Sequence, residues 1–175
     1  MSILDVIQTR REITAFKNKE IPKDVLEEIV EAGYYAPTGN NLLSREFIVI
    51  TDREKLDELE KTTPFMNWLL TAQGAIVVTG RPNVSKYWLQ DASIACGFIW
   101  LAATELEIGL GFGAVYHAED EEESKRRESY VREKLNIPDD RKIVAILGLG
   151  YPNETPKEKK FHNREEAIFY ETFQS

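Results

Sequence analysis

Cysteine is nearly missing from this 175-residue chain: Cys96 stands alone. No internal disulfide can form, and a cytoplasmic setting is the default expectation. Histidine is almost as scarce, with only His117 and His162. His117 and Glu121 can share a helix face, but two ligands do not build a zinc site, so no metal is expected. No apolar run is long enough for a bilayer, because the stretch 94–103 contains Gly97 and is closed by Glu105 and Glu107. The start Met1-Ser2-Ile3-Leu4-Asp5 lacks the basic residues and apolar run of a secretory signal. Positive charge is short as well: 22 Lys and Arg against 30 Asp and Glu leave a net charge of -8. The average surface therefore repels nucleic acid and anionic lipid, and an anionic ligand has to be held by a local basic cluster. The serines lack a nucleophile-elbow setting. Cys96 sits in an apolar segment, where cysteine is a small hydrophobe.

With 42% apolar and 30% charged residues, the composition is that of a globular protein, and the length fits one domain over 1–175. The patterning predicts a short helix over 3–7 and a second helix with Pro22 at its first position. This second helix carries Val25, Leu26, Ile29 and Val30 inward and stops before Pro37. Strands are expected at 47–50, 75–79, 110–116 and 143–147. Further helices are expected over 53–61, in a short piece from Pro64 through Leu69, over 84–107, and from the acidic run starting at Glu119. The 84–107 helix is apolar on nearly every side, which predicts burial all round, with part of its surface meeting a second subunit. Glu121, Glu122 and Glu123 stand four residues before Lys125, Arg126 and Arg127, as on a solvated, self-paired face. The last segment is too apolar at its end for a free tail and is expected to dock. Helices and strands alternate without a strict beat, which favours α+β with a mixed central sheet flanked by helices.

Gly109-Leu110-Gly111-Phe112-Gly113 has the glycines of a dinucleotide loop but follows a helix and leads into a strand. A helix cap at Gly109 and close packing at Gly111 and Gly113 are expected instead. Arg10-Arg11 at a helix end complements the macrodipole and unpaired carbonyls, and Thr38-Gly39-Asn40-Asn41 is an ordinary turn by composition. Their association across one intervening helix suggests more: fixed positive charge for a phosphate, and a small-residue loop that a flat polar ring can approach.

In this order the motifs resemble the nitroreductase family of flavoproteins over nearly the full length. Arg10-Arg11-Glu12-Ile13-Thr14-Ala15-Phe16 is similar to that family's Arg-Arg-Ser-x-Arg-x-Phe opening. Ala36-Pro37-Thr38-Gly39-Asn40-Asn41-Leu42-Leu43-Ser44-Arg45 resembles its Ala-Pro-Ser-x-x-Asn-x-Gln-Pro-Trp segment. Asp91 before a small-residue helix, the Gly109-Leu110-Gly111 turn, Gly148-Leu149-Gly150-Tyr151-Pro152 and Lys160-Phe161-His162-Asn163-Arg164 also fall in family order. The resemblance implies an intertwined homodimer with two FMN sites at the subunit interface. Arg10 and Arg11 of one subunit, with Lys160 or Arg164, would bind the phosphate. Pro37, Thr38, Gly39 and Asn41 of the other would line the ring, with Thr14 facing the flavin, Asn67 at its pyrimidine edge, and Gly113 and Ala114 at its reactive side.

NADH or NADPH would then hand a hydride to the flavin, and a small acceptor, nitroaromatic or quinone, would take the electrons in ping-pong order. No protein acid-base dyad is required. The alternative is a flavin-binding protein of the same fold with little turnover. Glu12 stands in place of a serine, Thr14 in place of a basic residue, and Leu43-Ser44-Arg45 in place of Gln-Pro-Trp, so cofactor affinity and potential are expected to differ from the family pattern.

Overall fold

The computed structural model describes residues 2–173. Its helices are α1 (Ile3–Thr9), α2 (Lys23–Tyr35), α3 (Arg53–Glu60), α4 (Trp88–Glu105) and α5 (Glu121–Leu135). Its strands are β1 (Arg45–Ile50), β2 (Gly74–Gly80), β3 (Gly109–Ala114) and β4 (Lys142–Gly150), with short 3-10 turns at Gly39–Asn41, Asn67–Leu70 and Arg164–Glu166. Among the described residues no helix is long and apolar enough to cross a membrane.

The strands lie in the order β1-β2-β4-β3. The class is α+β as expected, and every neighbouring pair of strands is antiparallel. The parallel component of the mixed sheet is confined to the single bridge Glu12↔Leu110. Connections that carry a whole helix can return a strand in either direction, so element order alone does not fix strand polarity.

β2 is buried at every position and β4 at all but its first, so both faces of the sheet are covered. The pleat divides the core. Val77, Ile143 and Ile146 join Leu56, Leu59, Trp68 and Val131 on the face carrying α3 and α5. Ile76, Val78 and Leu147 join Leu26, Ile29, Ala92 and Ile99 on the face carrying α2 and α4.

α4 is shorter than expected, because residues 84–87 form a turn in which Tyr87 N–H donates to Ser85 Oγ at 3.0 Å. Nor is it buried all round: Ala92, Ala95, Cys96, Ile99 and Ala103 face the sheet, while Ile94 and Phe98 are each 42% exposed. Its uncovered flank forms, with α1 and α2, an apolar groove of about 600 Å³ that includes Ile3, Ile7, Phe98 and Leu101.

The α5 face also departs from the simple solvated reading. Lys125 pairs with Glu121 at 3.0 Å, and both Arg126 and Arg127 reach Glu123. Arg127 is only 11% exposed and donates to the Ala114 carbonyl at 3.0 Å, while Arg126 donates to the Thr62 carbonyl at 3.2 Å. The helix is thereby tied to the end of β3. Hydrogen bonds from Arg126 and Arg127 pull the Glu123 carboxyl down to about 2. Since the folded value is depressed, this support is present above the unfolded carboxyl range, about 4.3, and is lost as pH falls towards 2.

The two ends of the chain meet along a strap. Phe16 bridges Pro152, Lys17 N–H donates to the Tyr151 carbonyl at 2.8 Å, and Asn153 N–H donates to the Ala15 carbonyl at 2.8 Å. The Glu154 carboxylate accepts the N–H groups of Thr14 and Ala15 at 2.7 and 3.1 Å, and the Lys19 ammonium lies 3.7 Å from the centre of the Tyr151 ring.

The left-handed cap of α4 is Glu107, with φ 59°, and not Gly109, which opens β3. Ile108 N–H donates to the Ala103 carbonyl at 2.8 Å, and closing the turn this early buries the Ile108 side chain to 2% exposure. Relief of left-handed strain, about 1–2 kcal/mol, outweighs the chain entropy added by glycine, about 0.4–1 kcal/mol. Glu107→Gly is therefore expected to stabilise the protein by roughly 0.5–1 kcal/mol in urea unfolding; an unchanged or lowered midpoint would show that the cap is unstrained.

Candidate functional site

α1 starts on a capping box, in which Ser2 Oγ accepts Asp5 N–H and Asp5 accepts Ser2 N–H, and it ends at Arg10. Arg11 closes the helix end, where one guanidinium nitrogen donates to the carbonyls of Gln8, Thr9 and Arg10 at 3.0, 3.0 and 2.9 Å. Arg10 lies over α4, its guanidinium carbon 4.3 Å from the centre of the Trp100 ring. Trp100 stacks in turn on Phe112, with centroids 5.9 Å apart and planes at 14°, and donates its indole N–H to the Arg11 carbonyl at 3.2 Å. Phe112 N–H donates to the Glu12 carboxylate at 3.1 Å, which commits that acid to the backbone.

The terminal segment brings a third cation to the pair. It is Lys159, half-buried, next to the expected Lys160; Lys160 and Arg164 are exposed. Burial pushes the Lys159 ammonium below the usual lysine range, and the positive charges of Arg10 and Arg11 push it further. Among the described residues no carboxylate pairs with Arg10, Arg11 or Lys159. Arg53, Arg126, Arg127, Arg132 and Arg141 by contrast all have acidic partners. Unpaired like charges gathered on an acidic protein form the local cluster that an anion requires.

At residues 37–44 the chain makes a tight turn. Pro37 is exposed, Thr38 precedes the 3-10 turn, and Asn41 N–H donates to the Thr38 carbonyl at 3.2 Å. Asn40 and Asn41 adopt φ of 56° and 55°, in the left-handed region that asparagine tolerates, and both are exposed. The turn rests on Asp91, in the first turn of α4 and only 4% exposed. Its carboxylate accepts Gly39 N–H at 2.9 Å and the Ser44 hydroxyl at 2.6 Å.

Arg45, 6% exposed, donates to the carbonyls of Gly33 and Tyr34, both at 3.0 Å, and to that of Ala36. Burial lowers its pKa from the usual arginine value, and the Asp91 charge opposes that shift. Ser44 and Arg45, which depart from the family pattern, are thus the inner frame of the loop.

Both site glycines owe their missing side chain to packing. A Cβ on Gly39 would lie 2.5 Å from the Tyr87 ring, and the Gly39 N–H is already committed to Asp91. A Cβ on Gly113 would lie 2.5 Å from the terminal methyl of Met66. Asn67, which follows Met66, is exposed beside that end of β3, and the exposed Ala114 has its carbonyl tied to Arg127. Thr14 is exposed with its N–H sealed by Glu154.

The expected residues therefore fall into two groups. Arg10, over Trp100, groups with Arg11 and with Lys159, whose ammonium lies 5.2 Å from the centre of the Phe161 ring, and Phe112 leads from Trp100 along β3 to Gly113 and Asn67. Pro37, Thr38, Gly39 and Asn41 sit on Asp91, nine residues before Trp100 on α4. At 1.5 Å per residue the two supports are about 14 Å apart along the helix axis. Sequence reasoning missed Lys159, Trp100 and the framing role of Asp91. An acid opening an apolar helix was the only signal for Asp91, and nothing in Lys157-Glu158-Lys159-Lys160 marks which lysine turns inward.

A family model described as "Nitroreductase family" matches residues 7–73. A protein of Archaeoglobus fulgidus that bears the name NADH dehydrogenase/NAD(P)H nitroreductase is 35% identical over 169 residues, covering 94% of this chain and 92% of that protein. A solved structure bearing the same name, from Bacteroides thetaiotaomicron, superposes with a TM-score of 0.90 at 29% identity, covering 99% of each chain. An FMN-dependent nitroreductase from Clostridium difficile gives a TM-score of 0.85 at 29% identity, covering 97% of this chain and 99% of the other.

Asp91→Ala strands the Gly39 N–H and the Ser44 hydroxyl and removes the charge opposite Arg45. A loss of about 2–4 kcal/mol in unfolding free energy is expected, with faster proteolysis in residues 37–43. A loss below about 0.5 kcal/mol, within the range of ordinary surface substitutions, would mean that the loop is held by something else.

Proposed function

The chain belongs to the nitroreductase family, and from that premise we propose that it is an FMN-dependent oxidoreductase using NADH or NADPH and a small electron acceptor, working at sites completed between two copies of the chain. The observation that carries this reading is the trio Arg10, Arg11 and Lys159, which lacks any carboxylate partner among the described residues and is opposite in sign to a phosphate monoester. The chemistry FMN supplies when bound is acceptance of a hydride from the nicotinamide and delivery of electrons to a nitroaromatic, quinone or similar acceptor in ping-pong order.

This chain's own residues bind and orient. Contact with the Trp100 ring holds the Arg10 guanidinium, and its N–H groups are left for phosphate oxygens. Arg11 and Lys159 add charge, and Thr38, Asn41 and Asn67 offer hydroxyl and amide groups to the polar edges of a ring. Two features support completion by a second copy. The two groups of residues stand about 14 Å apart along α4, and the uncovered flank of α4 has apolar counterparts in Phe161, Ile168, Tyr170 and Phe173, all exposed.

A second reading, a flavin-binding protein with little turnover, is favoured by Thr14: no cation stands at this position to stabilise negative charge on a ring.

Purified protein, loaded with FMN, is expected to show a flavin spectrum that NADH or NADPH bleaches without oxygen and that a quinone or nitroaromatic restores; bound flavin that does not bleach selects the second reading. Arg10→Ala is expected to weaken FMN binding about 10- to 100-fold, the cost of one charge-assisted hydrogen bond. Lys23→Ala, which removes an exposed ion pair with Glu27, should change it less than twofold. Equal effects from the two would show that the phosphate site is misplaced.

A further inference from the structure

Beyond the end of β3, Val115 and Tyr116 N–H both donate to the Val144 carbonyl, and the chain then turns through His117 into α5. His117 is held at two points: its backbone N–H donates to the buried Ser124 hydroxyl at 3.1 Å, and its Nδ1 accepts Asp120 N–H at 3.0 Å. An Nδ1 that accepts leaves the neutral ring with its proton on Nε2. Among the described residues no acceptor engages Nε2.

The half-buried ring lines a cavity of about 280 Å³ with Trp88, Tyr116, Ser124, Glu128 and Lys142. Trp88 and Tyr116 meet edge to face, 5.5 Å between centroids. The cavity's ammonium groups are already paired, Lys142 with Glu128 at 3.1 Å and Lys125 with Glu121 at 3.0 Å. One wall is the segment Tyr116-His117-Ala118, which follows the end of β3. The other is the start of α4 beside Tyr87, which packs on Gly39. The cavity is thus reached along the chain from both elements assigned above to the ring: Tyr116 follows Ala114 by two residues, and Trp88 follows Tyr87, which packs on Gly39.

We propose that His117 is a catalytic hydrogen-bond donor for the acceptor half of the reaction, and that the Trp88–Tyr116 cavity selects single-ring acceptors carrying a carbonyl or nitro oxygen. The inference rests on the oxidoreductase reading above. Nε2–H binds the acceptor oxygen on which negative charge accumulates as a hydride from the cofactor adds to the acceptor. A neutral donor fixed before the reaction stabilises that charge without reorganising. The proton that completes the product comes from water, and His117 keeps its own. For a quinone the balance is quinone plus hydride plus proton giving hydroquinone, with the cofactor oxidised by two electrons.

Half-reactions separate this inference from its parent. Bleaching of the FMN-loaded protein by NADH or NADPH tests the parent reading; wild-type protein that never bleaches overturns both. In protein that bleaches, His117→Ala is expected to slow reoxidation by 1,4-benzoquinone about 10- to 100-fold and to leave bleaching within twofold. His117→Gln, which retains an N–H donor, should recover most of the loss. Equal reoxidation by His117→Ala and wild type, or a Gln variant as slow as Ala, would overturn the proposal. Nitrogen NMR of ¹⁵N-histidine protein, with His162→Gln for assignment, supplies a readout independent of turnover. The Nε2–H tautomer is expected at His117, and the Nδ1–H tautomer would sink the idea.

Discussion

A buried carboxylate organises the part of the fold where loops meet core. Asp91 closes on Gly39 N–H and the Ser44 hydroxyl, and its charge opposes the desolvation of Arg45. Arg45 in turn gathers the last carbonyls of α2. One acid therefore ties α4, the end of α2, the 37–44 loop and the start of β1 into a single unit. The Arg45 Nε stays buried without a hydrogen-bond partner, so the network is not fully satisfied and a change in one member falls on the others. Ser44 and Arg45 thus carry the loop from inside, with Asn40 and Asn41 exposed at its outer edge.

Much of the fold was legible because it follows from periodicity. Continuous apolar runs marked β1, β2 and β4, and prolines at 22 and 37 bracketed α2 within a residue or two. Legibility failed where long-range contacts decide. The α4 cap fell on Glu107 because Ile108 is drawn into the core, and strand direction is not written in element order. On the charged face of α5 the expected pairs Glu121–Lys125 and Glu123–Arg127 form, Arg126 turns to Glu123 and not to Glu122, and no local pattern announces that Arg127 turns under to hold Ala114. At the candidate site the arginine pair and the asparagine loop stand out by residue type. Asp91, Trp100 and Lys159 are ordinary in sequence and acquire meaning only through their neighbours.

The glycines of β3 carry a related lesson. Gly113 invites a ligand reading because it is small, but Met66 already fills the space. A missing side chain states that something approaches closely, without saying whether it is a cofactor or the chain itself. A run of cations without acids is stronger, since packing supplies no reason to gather like charges. Arg11 does have a structural role at the end of α1, and helix capping and anion binding are compatible because a guanidinium has five donors.

The strap joining 14–19 to 151–154 places the arm bearing Arg10 and Arg11 under the control of residues about 140 positions later in the chain. During synthesis that arm emerges well before its bridge at Pro152 and its carboxylate clamp at Glu154. The site is thus a late product of vectorial folding: an incomplete chain can own every arginine of the pair and still have no fixed place to put them.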